Sequence, residues 1–344
     1  MSQVCTIGLD IAKNKFQVHG EDERGIKVFN KQLLRNEVLN FFVNLPPCLV
    51  GLEACGGSHY WARELKKLGH DVRLIPPRLV KPFVINNKTD AADARAICEV
   101  VRRPATRFVQ IKTIEQQHLA SLHRIRERLV GNRTALANQI RGFLQEYGIV
   151  IPQGLINLRK TLPLILADNG ERLCAASKIL FSDLQDELAI LDKKIEGIEI
   201  QLKQLAKANE ACARLIKVPG VGVLTATAII AHMGDAKQFK NGRQFAACLG
   251  LTPQEYSSGG KQKLLGISKR GDNYIRKLLI QGARIICRWW NRKIAAENEW
   301  RVIWLQQVTQ RRGKFVAAVA QANKTARILW NILAKGVEYS PDYL

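Results

Sequence analysis

Nowhere does this chain run through about 20 consecutive apolar residues, so no segment reads as a membrane-spanning helix. The most apolar stretch, around Val218–Met233, is broken by Pro219, Gly220 and Gly222 and contains His232. No basic, apolar and small-residue leader opens the sequence, and a cytoplasmic location is the expectation. The eight cysteines include no Cys-x-x-Cys pair. That gives no support to a structural zinc site and leaves them as small hydrophobes suited to a core. Internal repeats and low-complexity tails are absent too. Negative charge is scarce: 30 Asp and Glu stand against 53 Lys and Arg, a net charge of +23 over 344 residues. Such an excess predicts a polyanionic partner, and without a membrane segment nucleic acid is the expected one.

The basic excess is uneven. Residues 1–100 carry a net charge of +3, residues 101–238 carry +7, and residues 239–344 carry +13, with 19 basic against 6 acidic side chains. The patterning predicts three segments. In residues 1–104, strands are expected at Val4–Leu9, Lys15–His19, Ile26–Leu33, Leu49–Glu53 and Asp71–Ile75. Helices are expected at Asn36–Asn44 and Ser58–Leu68, with Asn36 and Ser58 as N-caps and Gly69 just past the C-terminus. The order β-β-β-α-β-α-β-α suits an RNase H-like domain of mixed α/β class. Residues 105–211 read as a helical, coiled-coil spacer, with one long helix from Thr113 to Gly148 and another from Ser182 to Ala211. In the second, Leu184, Leu188, Leu191, Ile195, Ile198, Leu202 and Leu205 recur at alternating four- and three-residue steps, a heptad seam. This region is expected to form an antiparallel hairpin that also dimerises; the alternative is packing within its own domain. Residues 212–344 read as a mainly helical domain.

Four carboxylates stand out in the first segment. Asp10 ends the apolar run Thr6–Leu9, Glu53 ends Cys48–Leu52, and Asp90 and Asp93, three residues apart, share one face of a helix start. Brought together, such charges repel one another by about 1–4 kcal/mol per pair at about 4 Å. A cation relieves that repulsion, and carboxylate oxygens suit Mg2+, with Mn2+ as the alternative ion. Four donors of this kind can hold two ions about 4 Å apart for in-line attack on phosphate.

Near residue 212 the run Leu215–Ala226, with Gly220 and Gly222, looks like a helix-hairpin-helix element. Its glycines would let a phosphate approach the turn and the next helix start; an ordinary tight turn is the alternative. Lys261, Lys263, Lys269, Arg270, Arg276 and Lys277 crowd loops and helix starts as a candidate phosphate-tracking surface. Arg284, Arg288, Trp289, Trp290, Arg292 and Lys293 continue the mixture of cations and aromatics. Tyr256-Ser257-Ser258-Gly259-Gly260-Lys261 offers hydroxyls in a basic loop, either a nucleophile for a phosphodiester or a linker turn.

The motifs Gly8–Lys13, Gly51–Gly56 and residues 88–94 resemble the N-terminal RuvC-like DEDD domain of a bacterial insertion-sequence transposase family. The Pro219–Gly222 hairpin, Leu249–Pro253, Ser257–Lys261 and Ile267–Asp272 are similar to that family's C-terminal transposase domain. The resemblance implies a recombinase in which a RuvC-like domain and a serine-bearing domain form a composite site, guided by a bridge-type noncoding RNA that pairs with donor and target DNA. It implies Mg2+ at Asp10, Glu53, Asp90 and Asp93. It implies Ser258, directly before the first glycine, as the nucleophile that forms a phosphoserine link to DNA, with Ser257 as its rival. Assembly as a homodimer or homotetramer is implied as well. Two other functions stay open at this point: a RuvC-type endonuclease using metal-activated water alone, and a non-catalytic nucleic-acid-binding protein.

Overall fold

The computed structural model describes residues 3–85, 87, 89–168, 170, 172–293 and 300–340, and side chains among these except at 289–293 and 300–302. Lys88 and the side chains of Trp289, Trp290, Arg292 and Lys293, singled out above, lie outside the described residues. The chain divides into two compact units, Met1–Thr113 and Ile114–Leu344. Residues 105–113 of the expected spacer fall in the first unit, and its remainder shares the second unit with the C-terminal segment.

The first unit is built on strands β1 (Thr6–Asp10), β2 (Lys15–Glu21), β3 (Lys27–Leu34), β4 (Leu49–Glu53) and β5 (Asp71–Ile75). Its helices are α1 (Val38–Val43), α2 (Ser58–Lys67), α3 (Pro77–Val80) and α4 (Asp90–Val101). The sheet runs in the order β3-β2-β1-β4-β5. Strands β1, β2 and β3 pair antiparallel, whereas β1, β4 and β5 pair parallel. The bounds of β4 and β5 are those expected from their apolar runs, which Pro46-Pro47 and Pro76-Pro77 delimit. The expected N-caps differ. Gly57, at φ 86°, precedes α2, and Ser58 instead donates its hydroxyl to Cys55 O at 2.8 Å. Glu37 rather than Asn36 precedes α1. Gly69, at φ 92°, does follow α2, because a left-handed residue there closes the last turn.

Side chains alternate across a strand, so Ile7, Leu9, Val50 and Leu52 share one face. There they join Phe16 and Val18 of β2 in a core with Phe42 of α1 and Trp61 and Leu65 of α2. The opposite face presents Gly8 and Gly51, and α4 lies directly on it. A Cβ at Gly8 would fall 2.0 Å from Ala94 O, and one at Gly51 would fall 2.8 Å from Val101 Cβ.

The second unit comprises α5 (Ile114–Glu146), α6 (Leu155–Ala167), α7 (Ala175–Lys207), α8 (Glu210–Ile216), α9 (Val223–Met233), α10 (Gly242–Cys248), β6 (Pro253–Glu255), β7 (Leu264–Ile267), α11 (Asn273–Lys293), α12 (Trp300–Arg312) and α13 (Lys314–Lys335). Helices α5 and α7 are antiparallel. Arg126 Nε donates to Glu199 at 2.8 Å, Arg133 to Asp192 at 2.9 Å, and the Tyr147 and Ser177 hydroxyls meet at 3.0 Å. The expected hairpin is therefore present, although α7 starts seven residues before Ser182 and residues 210–216 form a separate helix. The heptad seam serves the chain itself. Leu188, Leu191 and Ile195 are buried in a core with Leu129, Leu136 and Ile140 of α5, and Leu202 is buried with Leu119 and Leu122. Most of the seam assigned to dimerisation thus packs within the unit, with Leu205 exposed, since an a/d stripe fits an intrachain partner as well as a second copy.

The eight cysteines, all among the described residues, form no disulfide, and only Cys48, Cys98 and Cys212 are buried, so the expected core role holds for these three; Cys5, Cys55, Cys174 and Cys248 are exposed. A polar pin joins three helices. Tyr274 of α11 donates its hydroxyl to His123 Nδ1 at 3.0 Å, while His123 Nε2 donates to Thr227 Oγ1 of α9 at 3.0 Å. Thr227 in turn donates to Val223 O at 2.6 Å. Burial, with the nearby His232 and Arg126 charges, pushes His123 down to about 4. In the first unit, burial, with Lys112 and Arg63, lowers His59 to about 4. Both rings are held neutral when folded but take a proton near 6.5 once unfolded. Their contribution is complete above about pH 6.5 and falls as the pH drops toward 4. Urea unfolding of the full chain should show His123→Gln flattening this dependence by up to about 3 kcal/mol. Gly8→Ala should destabilise the first unit by at least about 2 kcal/mol in the same measurement, because a backbone carbonyl occupies the space a methyl needs.

Candidate functional site

The parallel register pairs Gly8 with Gly51 and Leu9 with Leu52, so Asp10 and Glu53 end neighbouring strands side by side. Two residues beyond their glycines, both fall on the face that α4 covers. Thr89 caps α4, its hydroxyl accepting from Ala92 N at 3.2 Å, which starts the helix at Asp90 and leaves Asp90 and Asp93 in its first turn. The helix start and the strand ends therefore meet at one end of the sheet. Asp10 registers the convergence: burial first, then the charges of Asp93, Asp90 and Glu53, raise its carboxyl to about 6, against a small lowering by the Ile11 N–H. Asp10, Glu53 and Asp93 are half-buried, whereas Asp90 is exposed.

The charges of Asp93, Asp90 and Glu53 reach Asp10. Among the described residues, no three His, Cys, Asp or Glu side chains already stand close enough to ligate one ion. Like charges without a counter-ion spread apart. The residues nonetheless fit a hard divalent cation, since the donors are all carboxylates and, after burial, the neighbouring charges that raise Asp10 are ones such an ion would offset.

In the second unit, β6 and β7 form a hairpin where the sequence reading had only a flexible loop. Glu255 pairs with Leu264, and Ser258 bridges Lys261, whose N–H donates to Ser258 O at 3.0 Å. Gly259 and Gly260, at φ 57° and 75°, supply the two left-handed positions of a type I′ turn. The two serines differ. Ser257 donates to Glu255 Oε1 at 2.7 Å and accepts from Lys263 N at 3.2 Å, so its hydroxyl is part of the hairpin. The exposed Ser258 hydroxyl makes no side-chain hydrogen bond among the described residues.

Lys261, Lys263, Lys269 and Arg270 are exposed. Two other candidates have structural roles that account for them. Arg276 is 7% exposed and donates to Leu249 O and Gly271 O, both at 3.2 Å, and to Asn273 Oδ1 at 2.9 Å. It fastens the Leu249–Pro253 and Ile267–Asp272 motifs together instead of facing a phosphate. Gly220 turns its bare face to α11, where a Cβ would fall 2.6 Å from Ile286 Cδ1 and 2.9 Å from Gly282 O. Gly222 is exposed at the start of α9. The sequence reading missed the His123–Tyr274–Thr227 pin, because its partners lie 104 and 151 residues from His123.

An acidic cluster on a mixed sheet, followed by a basic helical unit with an exposed serine, has the parts of an enzyme acting on nucleic acid. Comparison with known proteins makes the class specific. A DEDD transposase model of the IS110 group matches residues 7–149, and a model described as "Transposase IS116/IS110/IS902 family" matches residues 212–298. The chain is 48% identical over 336 residues to a protein of Pseudomonas aeruginosa named "Probable family 20 transposase", covering 97% of this chain and 98% of that one. It is 43% identical to the transposase for insertion sequence element IS1111A of Coxiella burnetii, covering 98% of this chain and 92% of the relative. It is 37% identical to the transposase for insertion sequence element IS1328 of Yersinia enterocolitica, covering 99% and 100%. The chain belongs to the IS110/IS116/IS902 family of transposases.

Asp10→Asn should raise the stability of the ion-free protein at pH 7 by about 1 kcal/mol, a figure discounted for the solvent reaching this half-exposed group. The sign follows from a folded pKa above the unfolded one: the ionised carboxylate opposes folding until the pH falls toward 6. Melting curves with and without Mg2+ or Mn2+ check it. The ion should stabilise the wild type and leave Asp10→Asn nearly unchanged.

Proposed function

We propose that this transposase moves its insertion sequence by cutting and rejoining DNA through a covalent serine–DNA intermediate, with Mg2+ (or Mn2+) held by Asp10, Glu53, Asp90 and Asp93. The observation that carries the reading is the meeting of Asp10 and Glu53, at neighbouring strand ends, with the first turn of α4 that bears Asp90 and Asp93, whose charges reach Asp10. The strand order, with α4 across β1 and β4, supports an RNase H-like, RuvC-like first unit. Bound there, the ion would supply charge neutralisation and orientation at the phosphate. Ser258 is the proposed nucleophile, and its free, exposed hydroxyl supports it over Ser257. Its oxygen bonds to phosphorus while the displaced sugar oxygen leaves as a hydroxyl, preserving the energy of the phosphodiester for rejoining. Lys261, Lys263, Lys269 and Arg270 would neutralise DNA phosphates. The turn between α8 and α9 would act as a helix-hairpin-helix-like contact through Gly222 and the free N–H groups behind it. Guidance by a bridge-type RNA and assembly as a homodimer or homotetramer in the cytoplasm complete the proposal, both supported by family membership.

Reactions stopped in denaturant and run on gels should show DNA attached to protein. Ser258→Ala should abolish the adduct and lower strand exchange on the order of 10³-fold or more, whereas Ser257→Ala keeps the adduct. Nicked DNA free of protein would instead indicate the RuvC-type endonuclease using metal-activated water. Unchanged exchange in Asp10→Asn with Glu53→Gln would overturn the metal-site reading.

A further inference from the structure

We infer that an open pocket in the first unit, at the same end of the sheet as the carboxylates, receives an unpaired nucleotide. The inference deepens the nucleic-acid reading of the acidic cluster and rests on it. The pocket has a volume of about 520 Å³ and is walled by Tyr60 and Trp61 of α2, Arg35 and Asn36 after β3, and Asn14 between β1 and β2. Its position follows from the register. Asn14 lies four residues past Asp10, α2 begins five residues past Glu53, and Lys15 pairs with Leu34 at the same sheet end.

Its chemistry is specific. Tyr60 is 42% exposed, an aromatic face left open to solvent, and it stands edge-on to Trp61 with centroids 5.2 Å apart. The Arg35 guanidinium lies 5.1 Å from the Trp61 ring centroid, and Nη1 donates to Lys13 O at 3.3 Å. Among the described residues no carboxylate pairs with it. The exposed Asn14 and Asn36 amides and the buried Trp61 indole N–H make no hydrogen bond among the described residues. An aromatic face, an uncompensated guanidinium and two free amides together suit one nucleotide. Its base stacks, its phosphate meets the cation, and its edge accepts and donates to the amides. Bases stacked within a duplex cannot offer a face, so the occupant is unpaired.

The test is binding of the full chain, in EDTA to prevent cleavage, to a short oligothymidylate, an oligouridylate and a blunt duplex. Tyr60→Ala and Arg35→Gln should weaken single-strand binding about tenfold and duplex binding less than about twofold, with Tyr60→Phe restoring wild-type affinity. A 5-iodouracil oligonucleotide should photocrosslink to the wild-type peptide bearing Tyr60 and Trp61, a readout that needs no variant to fold. A loss confined to the DNA or to the RNA oligonucleotide supports the pocket and names its source. Equal losses on single strand and duplex, no loss, or crosslinks elsewhere overturn it. Failure here leaves the Asp10-dependent strand exchange intact, whereas failure of the metal-site reading appears as unchanged exchange in Asp10→Asn.

Discussion

The contact of α4 with the bare backbone at Gly8 and Gly51 is the constraint on which the first unit depends. Helices usually meet a sheet through a layer of side chains. Here the central two strands carry no side chain at those positions, and Ala94 O and Val101 reach into the space a methyl would fill. The helix comes close enough that its first turn faces the ends of β1 and β4. Two residues farther along each strand, alternation returns to the same face and presents Asp10 and Glu53. The contact that closes the core on this side also concentrates negative charge at its rim, so packing and site formation are one event. The raised Asp10 is the electrostatic cost of that closeness.

The second unit is organised differently. Its long helices α5 and α7 align by ion pairs along their length, and α9 and α11 are tied to α5 by a histidine with both ring nitrogens engaged. Glycines recur at its joints as contact points. Gly220 meets Gly282 backbone to backbone, and Gly250 packs on the 269–271 segment. On this framework the serine hairpin projects, with Tyr256, Leu264 and Leu265 exposed around it.

Much of this was legible in the sequence. Strands β4 and β5 were readable because prolines and glycines bound continuous apolar runs, and the four carboxylates because each closes or opens an element. The N-caps of α1 and α2 were not, and at α2 a left-handed Gly57 outcompetes Ser58 as the helix start. The heptad seam was real but ambiguous, because periodicity records a partner helix without saying whose it is. Arg276 resembles its exposed neighbours until the fold wraps three acceptors around it. The hairpin escaped notice because its strands are short and exposed, lacking the apolar alternation that marks a half-buried strand. The Gly-Gly pair between them was the one signal available.

That pair has a further consequence. From Glu255–Leu264 to Ser258–Lys261 the hairpin pairs in unbroken register, so Ser257 and Ser258 point to opposite sides. A slip of one residue would exchange them, turning the tethered hydroxyl outward and the free one inward. Both serines have the same chemistry, so no difference in reactivity separates them. The difference between two adjacent, identical side chains, one tethered and one free, is geometric, set by the handedness of a turn that only residues tolerating positive φ adopt readily.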